Sequence, residues 1–464
     1  MLMKKRIRGE RSTVMSFWTA LRNILPSTNR NFEERMDCSD RMMRQIKHEN
    51  QMLRYAVEKL TCEVNDLRKR HRYFNGEYLS LHATEKNKIL IAGWYGADNL
   101  GDELMLRSVL EHFPSDYLDR VYVLLWDNEL YERSGLDYRC NVIHYPPSVW
   151  DLEILADSFD AVVWGGGAIL DDSQYNNDPY NFNTGNLFIR LSEQMLAKGK
   201  RVYALGLSTN AVLGSESYIQ HLSRIISSAC VFSLRDPYSL ETLKHAGVDC
   251  SNVTLCEDLV FAYSDIHQLG DRNNMKHKPV LGVVLLCTED SYSDNLSILS
   301  VLTKSELLSK EGYEISLIPF LGEGSSDEKY YQRLIDELPE TEIPIRVKKY
   351  FPSLKESPLL ECSLVVSSKY HASLISDIAR IPNISIWSEA HPHYRNKMTH
   401  LSEIAGVPQT LLSLSEARKG SVMEDALSSL LGPSAVPFVS RDFLERQSDW
   451  LKGICDNIVE STKD

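Results

Sequence analysis

The 464-residue chain is 43% apolar and 25% charged with a formal net charge of −13, which excludes a disordered or collagenous class and gives enough length for two globular domains plus an appendage. Residues 1–88 hold 19 Lys and Arg against 11 Asp and Glu, a balance of +8, so the rest carries −21 and lacks the basic face that nucleic-acid binding requires. Nine Cys occur without a C-x-x-C pair, and we read them as buried thiols of a reducing, cytoplasmic compartment.

Residues 1–30 form a basic segment without a run of apolar residues long enough to span a bilayer. Within it Val14, Phe17, Trp18, Leu21 and Leu25 recur at helical spacing beside Arg11 and Arg22. Such a helix either lies in the inner membrane interface as a peripheral contact through residues 1–25 or packs on the protein's own body. Residues 31–84 read as a helical coiled-coil arm. Met43, Asn50, Val57 and Val64 occupy heptad a, and Ile46, Leu53, Leu60 and Leu67 occupy d. That seam over residues 43–67 predicts a parallel homodimer with Asn50 fixing register, the alternative being one amphipathic helix laid on its own domain.

From Lys88 onward apolar strands alternate with helical stretches, which predicts an α/β fold of two Rossmann-like domains facing across a cleft. The first, residues 85–270, holds strands at 88–92, 120–125, 141–145, 161–164, 201–205, 230–234 and 253–256. A polar stretch at 265–278 marks the boundary. The second domain, residues 271–435, holds strands at 280–286, 314–319, 345–349, 364–366 and 384–387. Residues 436–464 form a final helix, with Phe443, Trp450, Leu451 and Ile454 spaced to pack back on the body.

Ligands of parallel sheets bind beyond the carboxyl ends of strands, so the loops there carry the candidate chemistry. Gly93 to Glu103 surrounds Gly96 and Asn99 with glycines that let backbone N–H groups approach an anion, ahead of a helix beginning near Asp102. A plain strand-to-helix turn is the alternative. Gly165, Gly166 and Gly167 can shape an anion nest followed by Asp171 and Asp172, and a tight turn would need the same glycines. Arg235 ends a strand with a fork suited to carboxylate or phosphate, unless it is spent on Asp236. Lys369 and His371 end a strand of the second domain with a cation and an imidazole, the alternative for His371 being a core histidine bonded to a strand end.

Taken in order, Gly93 to Glu103, Gly165 to Asp172, Ser233 to Asp236 with Ser239 and Gly247, Glu257-Asp258, Ser368 to His371, and Tyr394 to Lys397 resemble the polysaccharide pyruvyl transferases over about residues 88–410. The resemblance implies a fold like that of the glycosyltransferase-B enzymes, phosphoenolpyruvate as donor substrate, no separate cofactor, and a pyruvate ketal formed on a sugar of a cell-surface glycan or its precursor. Combined with the chemistry, it implies that Arg235 and Lys369 clamp the donor and that His371 moves the proton. Asp171 or Asp102 would orient or deprotonate hydroxyls, and Lys397 would assist phosphate departure. Asn99, Gly96 and Gly165 to Gly167 would then belong to the substrate-binding loops.

Two departures stand out: Lys369-Tyr370-His371 replaces the family's Arg-Leu-His or Arg-Met-His, and Ser208 stands where a glycine is frequent. Two other functions fit the same residues. One is a nucleotide-sugar-dependent glycosyltransferase; the other is a non-catalytic glycan- or anion-binding protein dimerised by its coiled coil. No metal is required by the pyruvyl scheme, and Glu389, His391 and His393 read as solvent-exposed.

Overall fold

In the computed structural model the described residues are 86–463, apart from 127–130, 132–137, 146–148, 174, 176–183, 210–211, 272–277, 323–326, 340, 407–409, 432–436 and 438. The basic segment, the heptad seam and its dimer therefore lie outside the described residues.

Seven parallel strands form the first sheet: β1 (Ile89–Tyr95), β2 (Val121–Leu125), β3 (Asn141–His144), β4 (Ala161–Leu170), β5 (Arg201–Thr209), β6 (Val231–Leu234) and β7 (Val253–Leu255). Their spatial order is β3-β2-β1-β4-β5-β6-β7. Six more form the second: β8 (Val280–Val284), β9 (Glu314–Leu317), β10 (Ile345–Val347), β11 (Leu364–Ser367), β12 (Asn383–Trp387) and β13 (Thr410–Ser413). Here the order is β10-β9-β8-β11-β12-β13, so each half winds outward in both directions from its first strand. The two Rossmann-like sheets expected from sequence are present. Their continuous apolar runs, such as Ile89 to Ala92 and Leu364 to Val366, are fully buried, as strands covered by helices on both faces must be.

A doubly wound sheet opens a crevice where the strand order reverses. In the first sheet that point lies between β1 and β4, and in the second between β8 and β11. Helices α1 (Leu100–His112), α4 (Tyr370–Ile378) and α5 (His393–Ala405) place residues there, α2 (Pro237–His245) and α3 (Asp327–Glu337) follow β6 and β9, and α6 (Arg441–Lys463) is the last described helix. The halves are stitched beside the crevice, where Leu100 N–H donates to Phe320 O at 3.0 Å and Gly322 N–H to Asp98 O at 2.9 Å. An isolated antiparallel bridge joins Asn99 to Leu321 between them.

Helix α6 crosses back from the second half to the first. Phe443 meets Phe261 edge-on at 5.2 Å, and Tyr117 and Tyr203 share hydroxyl hydrogen bonds with Thr462 and Ser461. The buried-thiol reading holds only in part. Of the described cysteines Cys362 and Cys455 are buried, Cys230 is exposed and the others are half-buried.

Candidate active site

β1, β4 and β5 run further than the sequence pattern suggests, and in β1 and β4 this changes what the glycines do. β4 continues through the glycine triplet to Leu170, keeping its pairing to β5 with Gly165 opposite Leu205 and Gly167 opposite Leu207. Gly166 and Gly167 have φ of +86° and +93°, a region closed to side chains with a Cβ, and both line a cavity of about 410 Å³ at the crevice. Gly165 does not reach that cavity wall. It lies against the Tyr95 ring, whose hydroxyl donates to its carbonyl.

The loop after β1 is likewise used differently from expectation. Gly96, at φ +75°, donates its N–H to Glu103 Oε1 at 2.9 Å, so the group this glycine meets is the chain's own carboxyl and not a ligand. Tyr138 donates to the other Glu103 oxygen. Burial pushes the Glu103 carboxyl up to about 8 against these two hydrogen bonds. Asn99, not Asp102, caps α1, accepting from Gly101 N–H at 3.3 Å, as Asn does at a helix start. Asn99 and Asp102 both line the cavity. Asp171 does not: it accepts from Ser173 N–H at 2.8 Å in the turn after β4.

Arg235 follows β6, is 5% exposed, and ion-pairs with Asp258 at the end of the loop after β7. Its guanidinium also lies 4.8 Å from the centre of the Tyr370 ring. Asp236 is not its partner, because that carboxylate caps α2 by accepting from Ser239 N–H at 2.6 Å. Asp258 Oδ2 stands 3.5 Å from His371 Nε2 as well. Burial alone would raise the Asp258 carboxyl, yet the Arg235 guanidinium and His371 hold it well below the usual carboxylate range. A residue quoted in the sequence only as part of Glu257-Asp258 thus joins the two sheets' functional groups.

His371 lies in the first turn of α4, and its ring packs on Gly101 so tightly that an added Cβ there would overlap it. Lys369, just before α4, donates to Asp327 Oδ2 at 2.7 Å. The same oxygen accepts from Phe320 N–H at 3.0 Å and Leu321 N–H at 3.1 Å. Lys397, on α5, is 3% exposed and donates to Ser208 Oγ at 3.1 Å and Thr209 O at 2.8 Å. Burial, then the neighbouring Arg235 charge, lower its ammonium to about 7. The serine that departs from the family's glycine is therefore a partner of Lys397.

The cavity gathers Asn99, Asp102, Gly166 and Gly167 from the first sheet with Arg235, and Lys369, His371 and Lys397 from the second half. Asp102 is pushed up to about 6 by burial, against the pull of His371 and Arg235. Each of the two expected clamping cations carries an internal carboxylate, Asp258 or Asp327, which is the main correction to a bare cationic clamp. His391 lines the rim and is exposed, while burial, then Lys397, lower half-buried His393 to about 4. Among the described residues no group of three or more His, Cys, Asp and Glu side chains is arranged to hold a metal ion, and no helix is long and apolar enough to cross a membrane.

The model of one protein family, described as polysaccharide pyruvyl transferase, matches residues 99–389, a span that contains every cavity residue named above except His391 and Lys397. No curated protein sequence matches the chain. Among solved structures, the S. aureus MnaA–UDP co-structure superposes with a TM-score of 0.50 at 9% identity, covering 80% of this chain and 97% of that one. It shares the fold. Anabaena HepE in complex with UDP-glucose gives 0.49 at 13% identity, covering 81% and 98%.

Proposed function

The chain belongs to the polysaccharide pyruvyl transferase family, and from that premise we propose that it transfers pyruvate from phosphoenolpyruvate, as a ketal, to two hydroxyls of one sugar in a cell-surface glycan or its precursor. The observation that carries this reading is the convergence of Arg235, Lys369, His371 and Lys397 on one cavity with Asp102 beside them. Arg235 receives the donor carboxylate through guanidinium N–H groups beyond the one given to Asp258, and Lys369 and Lys397 face the phosphate. His371 donates a proton to the methylene carbon, making it a methyl group and leaving an oxocarbenium centre at C2. One sugar hydroxyl adds to C2 and gives its proton to Asp102. The C2–O bond to phosphate then breaks, inorganic phosphate departs beside Lys397, and a second hydroxyl adds to close the ketal. Of the two hydroxyl protons released, one balances the proton now on carbon and the other leaves with phosphate or to solvent.

The test mixes the full chain with phosphoenolpyruvate and lipid- or nucleotide-linked sugars, following phosphate release and the mass of the acceptor. Acceptor-dependent phosphate release with a matching mass gain supports the proposal, and His371→Ala and Arg235→Ala should each abolish it. Transfer from a nucleotide sugar instead would establish glycosyl transfer, while ligand binding without turnover from any donor would leave a binding protein. The heptad seam at residues 43–67 is proposed to pair two chains in the cytoplasm, with residues 1–25 touching the inner membrane face. Deleting residues 1–84 should lower the mass in solution, by light scattering, from that of two full chains to that of one shortened chain.

A further inference from the structure

The register between β1 and β2 shifts between Ile91 and Tyr95, and an irregularity of this kind re-aims a side chain at a sheet end. Trp94 is the side chain within it, and it lines the cavity. Its ring is 4.0 Å, centre to centre, from Trp126 at a tilt of 31°, so one indole face is covered. Trp126 in turn meets Tyr145 edge-on at 4.6 Å. The backbones of these supports are fixed, because Trp126 N–H donates to Tyr95 O at 2.7 Å and Tyr145 N–H to Leu125 O at 3.0 Å. Three aromatic side chains at the carboxyl ends of β1, β2 and β3 thus form one buttressed stack whose innermost member reaches the cavity. All three are half-buried.

Trp94 lines the same cavity as Asn99, Asp102, Arg235, Lys369, His371 and Lys397. The cations and the imidazole suit a small anion. Trp94 adds a rigid apolar plate, and Asn99 and Asp102 add an amide and a carboxylate, which together match a pyranose: its C–H face lies on an aromatic ring while its hydroxyls bond to acid and amide groups.

We propose that Trp94, held by Trp126 and Tyr145, is the stacking platform for the acceptor pyranose, with Asn99 and Asp102 binding its hydroxyls. This rests on the pyruvyl-transfer reading for the word acceptor, but the saccharide subsite itself is tested without donor or turnover. A platform already braced by its own neighbours loses little side-chain entropy on binding. It also sets the sugar hydroxyls in the cavity that Asp102 shares with His371, where an acceptor must meet an activated donor.

The test is saturation-transfer difference NMR on the full chain with methyl β-D-galactopyranoside, methyl β-D-glucopyranoside and methyl β-D-mannopyranoside, without donor. Phosphoenolpyruvate binding is titrated separately by calorimetry, and melting curves monitor the fold. At least one pyranoside should show saturation on its ring protons; Trp94→Ala should weaken that binding by about tenfold, the scale of one lost aromatic contact. Trp94→Tyr should retain most of it, and Trp126→Leu should weaken it while leaving Trp94 in place. Phosphoenolpyruvate affinity should be unchanged in all three variants. No pyranoside binding to the wild type, equal binding by Trp94→Ala, or loss of both ligands in a variant that melts normally would each overturn the proposal. If phosphoenolpyruvate fails to bind but pyranoside binding still depends on Trp94, pyruvyl transfer fails and the saccharide site stands.

Discussion

Asp258 Oδ2 lies 3.5 Å from His371 Nε2 across the junction of the two sheets, and the same oxygen takes the Arg235 guanidinium. One carboxylate therefore fixes both the proposed proton donor and the proposed carboxylate clamp, and it is fully buried while doing so. Removing it leaves Arg235 charged and without that partner in a site 5% exposed. Asp258→Ala should lower unfolding stability by about 3–5 kcal/mol, the usual effect of orphaning one member of a buried pair. Urea denaturation measures it. The double variant Asp258→Leu with Arg235→Met should regain much of the loss and remain inactive in phosphate release, which separates the pair's structural contribution from its chemical one.

Gly101 tests the position of His371. In an ordinary exposed helix, Gly→Ala stabilises by up to about 1 kcal/mol. Here an added methyl group would overlap the His371 ring, which approaches from the other sheet. Gly101→Ala should therefore displace the imidazole from Asp258 and cut phosphate release at least tenfold, with a loss of stability instead of the gain. A more stable and fully active Gly101→Ala protein would show that the ring has room to move and that its position is not set by this contact.

The sheet layout was legible because buried parallel strands must be continuously apolar, and runs such as Ile89 to Ala92 and Leu364 to Val366 are. The strand ends were less so. Gly93 and the triplet at 165–167 punctuate the pattern like loops, yet β4 passes through its triplet still paired to β5, and β1 passes Gly93 through a register shift to pair with β2 again at Tyr95. Side-chain partners were least legible of all. Arg235 has Asp236 beside it in sequence but pairs with Asp258, because a helix start at Pro237 claims Asp236 as its cap. Lys369 pairs with Asp327, 42 positions earlier, because β9 and β11 are parallel strands with only β8 between them, so the segments that follow them leave the same end of the sheet. Gly96 illustrates the same limit: a glycine-rich loop announces exposed N–H groups, but not that Glu103, seven residues on, will occupy one of them.

Lys397 should make donor binding pH-dependent. Burial lowers its ammonium from 10.5 to about 7, and a nearby phosphate would favour the charged form again. Binding of phosphoenolpyruvate near pH 7.5 should therefore draw a fraction of a proton from solution. Calorimetry in buffers of different ionisation enthalpy detects the uptake, and Lys397→Met should abolish it. The free protein carries the opposite linkage. Between pH 7 and 10.5 the unfolded chain binds more protons at this site than the native one, so stability from Lys397 rises with pH across that window. Lys397→Met should remove a slope of a few kcal/mol over that range.

Glu103 should act with the reverse sign. Its carboxyl is raised from 4.5 to about 8, first by burial and further by Asp102 and Asp98, against hydrogen bonds from Tyr138 and Gly96. The native state thus holds a proton there that the unfolded state has released. The stability this contributes is full below about pH 4.5 and is lost as pH rises through about 8. Glu103→Gln keeps an oxygen that can accept from Gly96 N–H or Tyr138 but cannot ionise. Relative to the wild type it should be close to neutral at pH 4.5 and more stable by a few kcal/mol at pH 9. Urea midpoints at the two pH values measure the difference. Because the comparison is between variant and wild type, the opposing slope from Lys397 cancels. A variant-to-wild-type difference that stays constant from pH 4.5 to 9 would mean that the loop ending at Asn99 is held by an ionised Glu103.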